Sequence, residues 1–294
     1  MFRDMIVDTA TCSKCGMCAN ICGTKSIEHL KGEFPFRKPS KAETCILCGQ
    51  CMAVCPSGSM IISGLTYENL FDLPKHTPNY QALFDLMSTR RSIRHFEDKP
   101  VPRELLEEII NAVAQAPMSF PPHKTHITVV QDRSTIITML PIITKYYDDL
   151  LVWMKNPIIR FIIKFQTTPE TFSTIKNHVI PLLSKCLPEM KKAGRDEITW
   201  GAPALMLFHA ERLAESHTVD AHIALTYAFL AAHSLGLGVT VSGMLPPVLT
   251  QSPKLRDMLN IPKDHEVVCA MMVGYPHHRY QRGIKRPLAS VNWV

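Results

Sequence analysis

Two segments decide how this chain folds: Cys12-Ser13-Lys14-Cys15-Gly16-Met17-Cys18-Ala19-Asn20-Ile21-Cys22 and Cys45-Ile46-Leu47-Cys48-Gly49-Gln50-Cys51-Met52-Ala53-Val54-Cys55-Pro56. Both follow the spacing Cys-x2-Cys-x2-Cys-x3-Cys, and each cysteine of the second lies 33 residues beyond its counterpart in the first. A constant offset across four positions marks an internal duplication with pseudo-twofold symmetry. Thiols crowded this closely cannot all pair as disulfides. Structural zinc sites use cysteine pairs, whereas soft all-thiolate sets with a triple x2 spacing suit iron–sulfur assembly.

The runs resemble the bacterial two-cluster ferredoxin signature, in which the fourth cysteine of each run ligates the other cluster. The resemblance implies one 4Fe–4S cluster on Cys12, Cys15, Cys18 and Cys55, and a second on Cys45, Cys48, Cys51 and Cys22. Three cysteines at x2 spacing can wrap one cube face from a tight loop, while the chain beyond them heads into a short helix. Gly23 follows Cys22 where the signature has proline, a departure that removes no ligand. The chain is expected to carry electrons.

At 294 residues there is room for about two domains. A two-cluster ferredoxin domain is expected over residues 1–64, a linker over 65–80 and a second domain over 81–294. Beyond residue 64 only Cys186 and Cys269 remain, read as small buried hydrophobes. Hydrophobic residues make up 46% and charged residues 20%, which suits a globular protein with a substantial core. Charges in Met1-Phe2-Arg3-Asp4 stand where an export signal needs an apolar stretch. No apolar run is long enough for a transmembrane segment. Unexported thiolate clusters then point to the reducing cytoplasm. The formal charge of +6 omits the cofactors. Each oxidised cluster with four thiolates adds about −2 and a phosphate on a bound cofactor about −2, so the excess is not read as a nucleic-acid footprint. Basic clusters interleaved with aromatics, which single-strand binding needs, do not occur.

Proline punctuates residues 65–80, and 81–88 reads as a helix. There follows Thr89-Arg90-Arg91-Ser92-Ile93-Arg94-His95-Phe96, whose three arginines and serine suit a phosphate or other oxyanion. A solvated basic turn is the alternative. Lys99-Pro100-Val101-Pro102 opens a helix with the apolar stripe Leu105, Leu106, Ile109, Ile110 and Val113. It ends at Ala116-Pro117, and a strand is expected at 126–130. This order resembles the start of the FMN-dependent nitroreductase family. The resemblance implies an α+β domain, a mixed sheet flanked by helices, with Arg90, Arg91, Ser92 and Arg94 gripping the flavin phosphate and ribityl chain. Further along come a buried strand at 202–208, a helix at 220–235 and a second buried strand at 267–273. Ser242-Gly243 stands where the family places a backbone loop near the reactive flavin nitrogen. The basic tail contributes Arg282 and Lys285 to the same cofactor site. Its ending, Val291-Asn292-Trp293, resembles the tails of nitroreductases fused to a ferredoxin.

Two stretches depart from the family. Ser119-Phe120-Pro121-Pro122-His123-Lys124-Thr125 replaces an Asn-x-Gln-Pro-Trp segment, leaving backbone groups and Lys124 to contact FMN and His123 as the histidine nearest the flavin. The insert at 134–196 holds Pro141, Pro157, Pro169, Pro181 and Pro188, so short or kinked helices are expected. Leu151, Met154, Ile158, Phe161, Ile162 and Phe165 share one helical face there. That face reads as a lid or a dimer-packing helix. The alternative is a peripheral membrane helix with Lys155, Arg160 and Lys164 on its polar side. His222 and His233 read as packed or hydrogen-bonded.

The functional expectation is an iron–sulfur flavoprotein oxidoreductase. It would pass electrons through two 4Fe–4S clusters to FMN and on to a small electron-poor organic acceptor. The donor is NAD(P)H or an electron donor protein; no Gly-x-Gly-x-x-Gly fingerprint occurs, but nitroreductase-like enzymes bind the nicotinamide directly over the flavin. An electron-transfer module serving a partner protein is the alternative, and a sensor with structural clusters is a further one. No protein nucleophile is expected. A homodimer follows from the resemblance, with the tail 279–294 free to cross a twofold interface.

Overall fold

In each cysteine run the chain must reverse sharply between the second and third thiols, and a glycine makes the reversal. Gly16 (φ 73°) and Gly49 (φ 71°) occupy left-handed backbone just before a short helix. The computed structural model describes residues 4–119 and 124–294. These form two compact units: the second is Tyr80–Pro117 with Lys124–Val294, and the remaining described residues make the first.

In the first unit, β1 (Met5–Val7), α1 (Met17–Ile21), β2 (Ile27–Glu28), β3 (Phe36–Arg37), α2 (Gln50–Ala53) and β4 (Met60–Ile62) follow in order. β1 pairs antiparallel with β4, and β2 with β3. Its small core is Cys18, Ile27, Cys51, Met52, Met60 and Ile62, with Leu65 and Leu70 packed against it. The Tyr67 hydroxyl donates to Met60 O at 3.0 Å. The first residues of the stretch expected as a linker thus fold onto this unit.

The second unit contains α3 (Tyr80–Thr89), α4 (Arg103–Val113), β5 (His126–Val130), α5 (Arg133–Lys155), α6 (Pro157–Gln166), α7 (Pro169–Thr174), α8 (Ile180–Ala193), β6 (Ala204–Glu211), α9 (His217–Ser234), β7 (Gly238–Ser242), α10 (Leu245–Gln251), α11 (Pro253–Met258) and β8 (His265–Gly274). The sheet order is β5-β6-β8-β7, and all three ladders are antiparallel. The parallel part of the sheet is one bridge, Ser92 to Val239. Alternation along the strands sends Leu205, Leu207 and Met272 to one face, where they meet Ile136, Met139 and Ile143 of α5. Met206, Phe208 and Met271 go to the other face and meet Leu106 and Ile109 of α4 and the alanines of α9. Because helices cover both faces, β6 and β8 are apolar almost throughout.

The insert differs from expectation. α5 is a continuous 23-residue helix that includes Pro141. Pro141 lies on the exposed side, where water can satisfy the carbonyl left without a donor one turn earlier. The break comes instead at Asn156, whose side chain accepts from Ile158 N and Ile159 N and starts α6 with Pro157 in its first turn. Ile158, Phe161 and Phe165 of α6 are exposed at 71, 60 and 73%. Among the described residues no helix is long and apolar enough to cross a membrane.

Candidate cofactor sites

The first unit sorts the eight cysteines across the two runs. Cys22 joins Cys45, Cys48 and Cys51 around a cavity of about 280 Å³ walled by Ile27, Ile62 and Leu65. Cys55 joins Cys12, Cys15 and Cys18 around a narrower one of about 20 Å³. Electrostatics follows the same grouping. Burial pushes the Cys51 thiol up to about 11, reinforced by Cys48, Cys45 and Cys22. Burial also raises Cys18, with Cys15 and Cys55 adding to it. Four mutually repelling thiolates per cavity require a cationic core to hold them deprotonated. The soft donor sets match iron–sulfur chemistry, and apolar walls close the larger cavity. Two cysteines run the other way. Burial pushes Cys22 up, but the hydroxyls of Ser26 and Thr24 and nearby backbone amides outweigh it and bring the thiol down to about 7. Burial likewise raises Cys55, and Ser57 with backbone groups of residues 57, 59 and 60 leaves it lowered.

In the second unit the arginine turn is held as a strand edge. Ile93 N donates to Val239 O at 2.9 Å, and the buried Ile93 packs so tightly on Gly238 that a Cβ there would lie 2.7 Å from it. Alternation then leaves Ser92 and Arg94 on the opposite side, where they line a cleft of about 850 Å³. Arg90, Arg91, Lys285 and Arg286 line the same cleft, and among the described residues no carboxylate does. Arg91 Nη1 donates to Ser88 O at 2.8 Å and Arg90 O at 2.6 Å. The Arg94 guanidinium lies 5.3 Å from the Trp200 ring. Arg90 Nη1 and Arg91 Nε are buried without a hydrogen-bond partner. Burial depresses the Arg90 pKa, and the charges of Arg91 and Arg286 add to it. Orphaned guanidinium N–H groups beside like charges call for an anionic oxygen ligand.

The cleft thus gathers Arg90, Arg91, Ser92, Arg94 and Lys285. Arg282 is not among its lining residues, although Gly283 is. Ser242 is buried, and its Oγ accepts from Met244 N (3.3 Å) and Leu245 N (3.2 Å) at the start of α10. Neither it nor the exposed Gly243 lines the cleft. Lys124 lies 3.7 Å from Glu211. His123 is outside the described residues. Phe84, Met87 and Ile284 supply an apolar wall that sequence reasoning missed; the amphipathic spacing of residues 80–89 was its only signal. His233, expected to be hydrogen-bonded, has Nε2 3.0 Å from Thr89 Oγ1.

The family profile described as the nitroreductase family matches residues 87–275, about two-thirds of the sequence. The chain belongs to the nitroreductase family. It is therefore an oxidoreductase, and its first unit matches the 4Fe-4S dicluster domain over residues 9–60. This nitroreductase is 27% identical over 208 residues to an FMN reductase [NAD(P)H] of Bacillus subtilis, a match that covers 70% of each chain. A nitroreductase with bound FMN from Bacteroides fragilis superposes with a TM-score of 0.54 at 20% identity, covering 74% of this chain and 99% of that one. A nitroreductase with bound FMN from Desulfitobacterium hafniense gives 0.50 at 18% identity, covering 72% and 97%. Both likenesses concern the fold.

Proposed function

We propose that this chain is an iron–sulfur flavoprotein oxidoreductase with two 4Fe–4S clusters in the cysteine unit and FMN in the arginine-lined cleft. Its acceptor is a small electron-poor organic compound. The carrying observation is the pair of orphaned nitrogens, Arg90 Nη1 and Arg91 Nε, in a cleft free of carboxylates. When bound, the flavin supplies the exchange between one-electron and two-electron chemistry that clusters alone lack.

The residues divide the work by chemistry. Arg90 and Arg91 donate to the phosphate through a planar fork that lysine cannot reproduce. The Ser92 hydroxyl adds a neutral donor, and Arg94 and Lys285 balance the remaining charge. Phe84, Met87 and Ile284 give the apolar part of the ligand a wall to pack against. In the other unit Cys12, Cys15, Cys18 and Cys55 hold one cluster and Cys22, Cys45, Cys48 and Cys51 the second. NAD(P)H is the favoured donor on the strength of the Bacillus subtilis relative's name, with an electron donor protein as the other source. The thiol clusters favour the reducing cytoplasm.

A homodimer is part of this reading. Tyr80, Leu83, Phe84 and Met87 of α3 are 44–73% exposed, and Trp293 of the tail is 93% exposed; apolar surface of this kind suits a subunit interface. Light scattering at micromolar concentration tests it, and a flavin-replete monomer would contradict it. The exposed apolar face of α6 supports a second reading, an electron-transfer module that docks a partner protein. Anaerobic assays with NAD(P)H and small nitro or enone acceptors separate the two: turnover favours the enzyme reading.

A further inference from the structure

The duplication that creates the cysteine unit is broken by the hydroxyl groups around its two exchanged ligands. At the 33-residue offset Cys22 corresponds to Cys55, Thr24 to Ser57 and Ser26 to Ser59. Both halves therefore place two hydroxyls just after the fourth cysteine of the run. Their hydrogen bonds run in opposite directions.

Around Cys22 the chain of bonds begins at a cation. Arg37 Nη1 donates to Ser26 Oγ at 3.1 Å, and Ser26 Oγ lies 3.4 Å from Cys22 Sγ. A hydroxyl has one proton to give. With a guanidinium N–H already filling its lone pair, Ser26 directs that proton at the sulfur. Thr24 Oγ1, 3.6 Å from the same sulfur, is a second donor. Ser26 is buried, so no water competes for the bond.

Around Cys55 the chain ends at an anion. The Asp8 carboxylate accepts from Thr11 Oγ1 at 2.7 Å. Thr11 Oγ1 is 3.0 Å from Ser59 Oγ, which is 2.6 Å from Ser57 Oγ. An ionised carboxylate can only accept, so each proton points toward Asp8: Ser57 gives to Ser59, Ser59 to Thr11 and Thr11 to Asp8. The Ser57 hydroxyl, 3.7 Å from Cys55 Sγ, is shared with Ser59 Oγ at 2.6 Å, so the bond it gives Cys55 is weaker than the one Ser26 gives Cys22 at 3.4 Å. The residue in Asp8's place in the second repeat is Lys41, and there Thr44 Oγ1 donates to the Lys41 backbone O. Lys14, the cation within the first run, holds its Nζ 4.3 Å from the Phe34 ring centroid.

We propose that this opposite polarity makes the cluster anchored by Cys22 the more readily reduced of the two, so that a single electron on the cysteine unit rests there. A hydrogen bond donated to a ligand sulfur withdraws charge from it and stabilises the added electron. The redistribution moves one electron from the cluster on Cys55 to the cluster on Cys22 and moves no proton; a low-potential one-electron reductant supplies the electron. Ser26 and Arg37 are positioning residues in this account. The inference rests on the two-cluster reading above.

The test is an EPR-monitored reductive titration of the full, anaerobically loaded chain with dithionite, preceded by iron and sulfide analysis. The loaded protein is expected to contain about eight iron atoms and to reduce in two one-electron waves. Ser26→Ala lowers the higher midpoint by a tenfold change in equilibrium, about 59 mV for one electron, and leaves the lower one in place. Asp8→Ala raises the lower midpoint, because Ser57 and Ser59 can then turn toward Cys55. Ser26→Thr keeps the hydroxyl and the higher potential. If Ser26→Ala fails to retain iron, Thr24→Val carries the same expectation. A single wild-type wave, or a Ser26→Ala shift confined to the lower wave or absent, overturns the inference while the eight irons stand. Protein lacking sulfide overturns the cluster reading itself, and the inference with it.

Discussion

Arg90 and Arg91 each bury a guanidinium nitrogen that nothing among the described residues satisfies, and an unsatisfied buried donor costs free energy until a ligand meets it. Replacing Arg90 with alanine removes a charged hydrogen bond to the ligand, roughly 1.5–3 kcal/mol, or about tenfold to a hundredfold in flavin affinity. Flavin absorbance after desalting should fall in this variant while iron content stays at the wild-type level. Wild-type flavin in both Arg90→Ala and Arg91→Ala would place the phosphate elsewhere. The arginine turn was legible because three arginines and a serine crowd into six positions at the end of a helix. Ser242 was not. Its hydroxyl is consumed by two backbone N–H groups of α10, and a Ser-Gly pair in sequence reveals neither burial nor partner. Arg286 was passed over for Arg282 because a tail without periodicity gives no sign of which cation turns inward.

At the scale of elements, strand register assembles what sequence spacing hides. His126 and His209 are paired across β5 and β6, and β8 brings His265 beside them, with the His209 and His265 Nδ1 atoms 2.8 Å apart. Burial holds His209 down to about 4, with His265, His126 and Arg256 adding to it. His265 is lowered too, again chiefly by burial. A histidine kept neutral in the folded state binds fewer protons than the unfolded chain between its folded and unfolded pKa values. Its contribution is intact above about 6.5 and is lost as pH falls from there toward about 4. Melting temperature measured across that window should drop, and His209→Gln should flatten the dependence. The helix α5 is tied to the turn before α10 by Tyr147, whose hydroxyl donates to Met244 O at 2.6 Å. Tyr147→Phe should cost about 0.5–1.5 kcal/mol in denaturant unfolding. Helix α4 could be read in advance, since Pro102 starts it and its stripe matches the buried Leu106, Ile109 and Val113. The long α5 could not. Five prolines suggested broken helices, yet a proline on a solvent-facing side lets water replace the missing bond.

For the whole molecule, ligand chemistry made the first unit readable: metal coordination fixes cysteine spacing in sequence far more tightly than packing fixes apolar residues. The crossed grouping of Cys22 and Cys55 was implied by the resemblance to two-cluster ferredoxins, while the polarity of the hydroxyls beside them depends on Asp8 and Arg37, which no motif contains. The crossing also makes the two proposed clusters separable by mutation. Cys15→Ala removes a thiol from the set with Cys12, Cys18 and Cys55 and leaves the other set whole; Cys48→Ala does the reverse. If electrons from an external donor enter through the cysteine unit, at least one variant should lose most donor-driven flavin reduction in anaerobic stopped-flow absorbance. Both should still turn over when the flavin is reduced chemically, because Arg90, Arg91 and the core that supports them belong to the second unit. Unchanged donor-driven reduction in both variants, with cluster loss confirmed by EPR, would mean that electrons reach the cleft directly and that the cysteine unit is not the entry route. Loss in one variant alone would identify which cluster faces the donor. Loss in both would require the two to act in series.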